Sequence, residues 1–292
     1  MTNITTPTCG LCGTETFLKE SHVIPAFVPR FIKETSATGY LRGYHVPNRR
    51  VQDLPTVRLL CEACEQRFSL AERRFAEVIF RPFNDGRLRF PYEEWLLYFA
   101  VSLAWRCLAT SNGAGLQDNP QHKTAVDRAR EVWAEFLLGR RDRVNPYRFN
   151  LFFTPAGGTS ESRVPEGLTW YLLRGADMTT VYSKSRAASY AKIPGMMFWT
   201  SIVPPDPGGW RRTRIAKRGT LRQGGQVLEA RDAGQFLIER ADLVYKRLND
   251  LSPQQSQRIA DTVRRDPERA AQSRSFQAWL DDERLRRENR SK

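Results

Sequence analysis

Apolar residues recur at helical spacing in four parts of the chain, which predicts helices over residues 67–83, 92–109, 123–138 and 232–290. The second segment is apolar nearly all round, so we expect a buried helix, although one too short and too interrupted to cross a membrane. Gly139 is expected to end the third helix as its C-cap. Beyond Arg264 the chain is densely charged, and the packing anchors expected there are Phe276, Trp279 and Leu280.

Between residues 147 and 229 the pattern changes to short β-rich runs separated by Gly and Pro turns. These runs predict an antiparallel sheet and cover residues 149–153, 169–173 and 196–202. The stretch 208–231 that follows has seven basic residues against one acid, Glu229, and Trp210 precedes its first arginines. Two interpretations remain open for this stretch, namely a basic hairpin that follows a phosphate backbone and a solvated loop.

Four of the five cysteines form two Cys-x-x-Cys pairs, and the four are Cys9, Cys12, Cys61 and Cys64. In a reducing compartment such pairs bind metal more often than they form disulfides. Two pairs supply the four thiolates of a structural zinc site, which is closed and leaves no coordination position for water. The sequence therefore predicts one structural Zn²⁺ that holds the fold. Cys107 lies in the apolar helical stretch and is expected to be inert core.

The predicted elements indicate an α+β fold. The second cysteine pair precedes a predicted helix, so an N-terminal zinc-stapled ββα or treble-clef unit is expected over residues 1–90. Residues 91–292 are expected to form an α+β domain of unknown role. Its parts would be helices over 92–139, an antiparallel β region over 147–229 and C-terminal helices over 232–290.

Composition favours a polyanionic partner. Lys and Arg number 46 against 32 Asp and Glu, which gives a formal charge of +14 and suits phosphate contacts. The alternative is that the excess charge only aids solubility. The sequence shows neither a signal-peptide pattern nor a run of about 20 apolar residues, so we expect a cytoplasmic protein. DNA is favoured over RNA as the partner, and a protein partner or homo-oligomer remains open.

The segment Glu20-Ser21-His22-Val23-Ile24-Pro25 lies between the two cysteine pairs. The order Cys-x-x-Cys, His-x-x-Pro, Cys-x-x-Cys and then a helix resembles zinc-stapled HNH (His-Me finger) endonucleases over residues 9–80. The resemblance implies that His22 is the general base acting on water and that a divalent ion stabilises the leaving oxygen. The alternative is that His22 is an ordinary buried histidine.

The chain departs from this family pattern at three positions. The acidic residue that usually precedes the base is Ser21 here. The asparagine that usually precedes the second cysteine pair is missing, with Asn48 or Asp53 as replacements. The histidine that usually follows the last cysteine is Glu65.

Carboxylates on the predicted helix offer a different set of metal ligands. Glu65, Ser69 and Glu72 fall on one face, so Glu65 and Glu72 are candidate ligands for a catalytic Mg²⁺ or Mn²⁺. The competing explanation is that Glu72 pairs with a neighbouring arginine, the candidates being Arg67, Arg73 and Arg74. His45 is a second candidate for base or ligand.

Two functional hypotheses follow, and the first is a metal-dependent endonuclease whose catalytic residues are His22, Glu65 and Glu72. Its expected phosphate-binding residues are Arg49, Arg50, Arg58, Arg211, Arg212 and Arg214. The second is a catalytically inactive zinc-dependent module that binds nucleic acid or protein. A bacterial toxin or defence effector differs from the first in biological setting more than in chemistry.

Overall fold

Two short antiparallel ribbons and a long helix form the N-terminal part of the molecule. The computed structural model describes residues 6–111, 113–154 and 165–290. Its first elements are β1 (Lys19–His22), α1 (Phe27–Glu34), β2 (Leu41–Arg42), β3 (Arg50–Val51), β4 (Thr56–Leu60) and α2 (Glu62–Phe75). β1 pairs with β4, so that His22 lies opposite Thr56, and β2 pairs with β3. β4 leads directly into α2, whose N-cap residue is Cys61.

A layer of helices follows. α2 continues through a π-helical turn (Ala76–Phe80) into α3 (Arg81–Asn84), which confirms the helix predicted over 67–83. Next along the chain are β5 (Arg89–Tyr92), α4 (Glu94–Thr110), α5 (Ala114–Asp118) and α6 (Lys123–Leu137). α4 is buried over most of its length, as its nearly continuous apolar pattern predicts. Gly139, with φ of 73°, follows the end of α6 as the expected C-cap.

An antiparallel four-stranded sheet packs against α4, which confirms the β region predicted over 147–229. It contains β6 (Phe149–Phe153), β7 (Asp177–Ser183), β8 (Arg186–Ile193) and β9 (Met196–Val203), in the spatial order β6-β9-β8-β7. The strand predicted over 169–173 is wrong, because these residues belong to α7 (Leu168–Arg174). The carboxylate of Asp282 accepts the backbone N–H groups of Thr169 and Trp170, and this distant cap stabilises a helix where local composition favours a strand.

The basic stretch 208–231 does not form one hairpin. It contains β10 (Trp210–Arg211), β11 (Gly219–Arg222) and β12 (Val227–Leu228). β10 pairs with β12, whereas β11 pairs with β5 from the helical layer. The hairpin interpretation therefore holds only at the base of the stretch, where β10 contains Trp210, because β11 is held by a strand more than 100 residues earlier in the chain.

The C-terminal helices are α8 (Arg231–Asn249), α9 (Pro253–Arg265), α10 (Pro267–Gln272) and α11 (Arg274–Arg290). The anchors predicted for this region are wrong, since Phe276, Trp279 and Leu280 are 40–50% exposed. The buried residues of α10 and α11 are instead the small side chains of Ala270 and Ala278. Along the described parts of the chain, no helix has both the length and the apolar character needed to span a membrane.

Candidate metal centre and histidine site

The four cysteines of the two Cys-x-x-Cys pairs meet in one cluster. Their Sγ atoms all lie within 4.8 Å of one another, and Cys12 and Cys61 are 3.8 Å apart. Four sulfurs placed about 2.3 Å from a central zinc ion in a tetrahedron would be separated by about 3.8 Å. The arrangement is therefore compatible with a structural zinc site, and the predicted ligand set is brought together.

Backbone geometry positions the first pair of cysteines against the second. The amide of Gly10 donates to the carbonyl of Leu59, and the amide of Cys61 donates to the Sγ of Cys9 at 3.4 Å. A Cβ on Gly10 would lie 2.8 Å from the side chain of Leu59, so the close approach favours glycine at this position. Gly13 closes the turn with φ of 77°.

The thiols of the cluster have shifted pKa values in opposite directions. Burial alone would raise the pKa of Cys12, but hydrogen bonds with Thr14 and with neighbouring thiols lower it to about 6. Burial and the surrounding thiols raise the pKa of Cys64. Four thiolates this close repel one another strongly, so the fully deprotonated cluster requires a cation.

His22 ends β1, and its ring faces a carboxylate. Its Nε2 lies 3.0 Å from Oδ2 of Asp53, in the loop that precedes β4. Nε2 is shielded from solvent and is not well aligned for a hydrogen bond, so the contact is best described as a close electrostatic pair. The side chain of His22 is 26% exposed, and because Nε2 is shielded from solvent, this exposure comes from its other atoms.

The contact with His22 contributes to a lowered pKa of Asp53. Partial burial raises its pKa, but the effect is outweighed by the contact with His22, by the amide of Leu54 that donates to Oδ1 at 2.8 Å, and by the nearby charge of Lys33. The net result is a pKa below the ordinary value. Of the two replacements suggested for the missing asparagine, Asp53 is the one that contacts the histidine, whereas Asn48 bonds to the backbone of residues 250 and 252.

Glu65 is held by the residue that precedes His22. The hydroxyl of Ser21, which is buried, donates to Oε2 of Glu65 at 2.6 Å. Successive side chains on a strand point to opposite faces, so Ser21 and Glu65 lie on the other side of β1 from the ring of His22. The structure therefore joins Glu65 to the residue that precedes His22, on the face of β1 opposite the imidazole.

Glu72 is paired with an arginine that is not among the predicted site residues. Nη2 of Arg106, on α4, lies 2.6 Å from Oε1 of Glu72, and Nη1 donates to the backbone carbonyl of His22 at 3.0 Å. The expected pairing of Glu72 with Arg67, Arg73 or Arg74 is wrong, because Arg106 reaches it from the buried side. Arg106 is the only charged residue between Trp95 and Thr110, and a lone charge in an apolar helix is the signal of a buried ion pair.

The carboxylates do not form a second metal site. In the parts of the chain that the structure describes, the cysteine cluster is the only group of three or more His, Cys, Asp or Glu side chains placed to hold a metal ion. Glu65 is occupied by Ser21, and the charge of Glu72 is neutralised by Arg106. These donors do not fit the catalytic Mg²⁺ or Mn²⁺ that the resemblance implies.

The arginines predicted to contact phosphate fall into two separate groups. Arg49, Arg50 and Arg58 are exposed and lie on the segments that flank Asp53. Arg58 approaches only Glu20, at 4.0 Å, and Arg50 lies over the ring of Tyr40 at 4.2 Å. The second group is Arg211, Arg212 and Arg214, which are also exposed and lie next to the four-stranded sheet.

The remaining histidines and the fifth cysteine differ in their surroundings. His45 is exposed and its ring centroid lies 3.9 Å from that of Tyr44. His122 is buried, and its Nε2 lies 2.8 Å from the carbonyl of Ser183, which gives it a structural role. Cys107 is buried core, as predicted, and burial raises its pKa to about 12.

Comparisons with protein-family models, with curated proteins and with solved structures found no match to this chain. The interpretation of the site therefore depends on the residues themselves.

Proposed function

We propose that the chain is an HNH-like endonuclease that hydrolyses nucleic-acid phosphodiester bonds with His22 as general base. The observation that supports this most directly is the 3.0 Å separation between Nε2 of His22 and Oδ2 of Asp53. A neutral imidazole with its proton on Nε2, facing the carboxylate, has its lone pair on Nδ1. Nδ1 then takes a proton from the attacking water as the water oxygen bonds to phosphorus and the bond from phosphorus to the leaving oxygen breaks, and Asp53 stabilises the imidazolium that forms. The leaving oxygen is protonated from solvent, to which the imidazolium returns its proton.

The phosphate group is held by arginines near this pair. Arg49, Arg50 and Arg58 are exposed, and they flank the loop that carries Asp53. Guanidinium groups bind phosphate oxygens in a bidentate manner, and such contacts position a strand without reading its sequence. The net charge of +14 also favours the approach of a polyanion.

The structural zinc ion and the catalytic Mg²⁺ or Mn²⁺ ion differ in how well the residues present could bind them. Cys9, Cys12, Cys61 and Cys64 would hold a structural Zn²⁺, which stabilises the segments on both sides of His22. No step is assigned to Mg²⁺ or Mn²⁺, because Glu65 and Glu72 are engaged with Ser21 and Arg106. The metal dependence implied by the resemblance is a separate prediction, which the assay below tests directly.

A nicking assay tests the proposal. Supercoiled plasmid and labelled single-stranded oligonucleotides are incubated with the zinc-loaded chain and with His22→Ala purified in the same way, each with and without Mg²⁺ or Mn²⁺. Because the variant lacks the base, we expect cleavage to fall by at least about 100-fold. Cleavage that requires Mg²⁺ or Mn²⁺ would confirm the metal dependence. Equal cleavage by both chains would rule out His22 as the base.

A second candidate function is a binding module without catalysis. It is favoured by the fact that both candidate carboxylates are already engaged, Glu65 by Ser21 and Glu72 by Arg106. This function predicts that the chain binds oligonucleotides but cleaves none in any divalent ion, and that it takes up only one metal per chain. Cleavage lost in His22→Ala would exclude the module.

A further inference from the structure

The loop between β2 and β3 carries an exposed aromatic and basic tip. We call residues 43–49 the hairpin loop. Its backbone turns twice, because the amide of Val46 donates to the carbonyl of Gly43 and the amide of Arg49 donates to the carbonyl of Val46. His45 and Val46 are both exposed at the tip, and Val46 is 56% exposed. No acidic residue occurs between Tyr40 and Gln52.

The hairpin loop is fixed to distant parts of the molecule. The hydroxyl of Tyr44 accepts a hydrogen bond from Arg240 on α8, and Arg240 is itself paired with Asp177 at the start of β7. The side chain of Asn48 accepts from the amide of Ser252 at 2.8 Å. Two elements of the C-terminal region therefore hold the loop, so its exposed tip is ordered before any partner binds.

His45 is placed as a stacking platform. Its ring packs against Tyr44, with centroids 3.9 Å apart and planes inclined by 37°. Tyr44 is half-buried, burial and the negative charge of Asp177 raise its pKa, and its hydroxyl accepts the hydrogen bond from Arg240. The support under His45 is thus fixed in position, while His45 itself remains exposed.

Positive charge surrounds this platform. Arg49 and Arg50 are exposed and follow the tip directly, and Arg42 is oriented by the carbonyl of Pro47 at 2.8 Å. Only two residues separate Arg50 from Asp53, and the path between them is at most about 11 Å in extended chain. Because Asp53 contacts His22, the chain runs only a short way from the loop to the histidine site.

We propose that the hairpin loop binds an unpaired nucleobase, which stacks on His45 while the adjacent phosphates pair with Arg49 and Arg50. Aromatic platforms with flanking arginines are the usual means of binding single strands, whereas bases inside a duplex are stacked on each other and are not available. The inference depends on the proposed function, and it narrows the substrate to nucleic acid with a single-stranded segment.

Binding measurements on the full-length, zinc-loaded chain carrying His22→Ala test this inference, because that chain cannot cut its ligand. Fluorescence anisotropy is recorded with labelled single-stranded DNA, single-stranded RNA and duplex DNA of one sequence. We expect tighter binding of a single strand than of the duplex. Adding His45→Ala should weaken single-strand binding by about 5- to 100-fold, and adding His45→Phe should retain it, because phenylalanine also stacks.

Leu88→Ala is the matched control, since it changes a similarly exposed apolar side chain outside the hairpin loop and should leave affinity unchanged. Comparing the affinities for single-stranded DNA and single-stranded RNA shows which sugar the loop prefers. Equal affinity for single strand and duplex, unaffected by His45→Ala, would overturn the inference and leave the nuclease proposal intact. Absence of binding to all three ligands would instead count against the nuclease proposal itself.

Discussion

Arg106 joins the carboxylate of Glu72 to the backbone carbonyl of His22. Its guanidinium lies 2.6 Å from Oε1 of Glu72 and 3.0 Å from the carbonyl oxygen, and its side chain is 2% exposed. A buried charge is costly unless it is paired and hydrogen-bonded. These two contacts engage both terminal nitrogens of the guanidinium, whereas Nε has no hydrogen-bond partner among the described residues. The end of β1, which carries the candidate base, is in this way tied to a helix of the central layer.

Removing this arginine is expected to destabilise the protein. Arg106→Met leaves Glu72 without its buried partner, so we expect the free energy of unfolding to fall by about 3–5 kcal/mol. Urea denaturation measures it. Arg73→Ala, an exposed arginine one residue after Glu72, is the control and should change stability by less than about 0.5 kcal/mol. Similar stability of the two variants would contradict the buried pairing.

The pKa of Asp53 should depend on His22. It is expected below the ordinary value of 3.8 in the folded chain and should rise in His22→Ala, because its main favourable contact is lost. Since the folded pKa lies below the unfolded one, the contact stabilises the fold above about pH 4, and this contribution is lost as the pH falls through the folded pKa. The pKa of Asp53 is measured by following its carboxyl carbon chemical shift by NMR as the pH is changed. An unchanged pKa in the variant would contradict the pairing.

Asp53 should act on the reaction through His22. Asp53→Asn keeps the size of the side chain but removes the charge that favours the imidazolium, so we expect cleavage to slow by about 10- to 100-fold. A cleavage rate equal to that of the unmodified chain would show that Asp53 has no part in the reaction.

Sequence alone predicts those features that depend on local patterns. The clustering of the four cysteines is predicted from the sequence, because a Cys-x-x-Cys turn places its two thiols side by side. The buried helix α4 was predicted from its composition. The sequence does not identify Arg106 as the partner of Glu72, because their contact joins α2 to α4. No local sequence pattern shows which two helices pack together.

Residues 169–173 illustrate the same limit. Their aromatic and β-branched composition favours a strand, but Asp282, more than 100 residues later, caps them as a helix. The basic stretch 208–231 likewise has the sequence pattern of a hairpin. That pattern does not show that its middle strand, β11, pairs with β5. The sequence offers Asn48 and Asp53 equally as replacements for the missing asparagine, and only the packed loop shows that Asp53 is the one that contacts His22.

Salt dependence should report the phosphate contacts of Arg49 and Arg50. Each arginine that pairs with a phosphate displaces about one counterion, so replacing either by alanine should reduce the slope of log affinity against log salt by about 1. Anisotropy titrations at several salt concentrations measure the slope. Arg128→Ala is the matched control, because this exposed arginine lies on α6 and pairs with Glu131. An equal reduction in the control would mean that the effect is one of net charge only.

The proposed function requires that Cys9, Cys12, Cys61 and Cys64 bind one ion and so fix the segments on both sides of His22. Elemental analysis of the freshly purified chain by mass spectrometry tests this most directly. We expect one zinc per chain, and we expect Cys64→Ser to lose most of it while Cys107→Ser retains it. A chain that is folded, contains no zinc and takes up none when zinc is supplied would contradict the proposed zinc site and the function that depends on it.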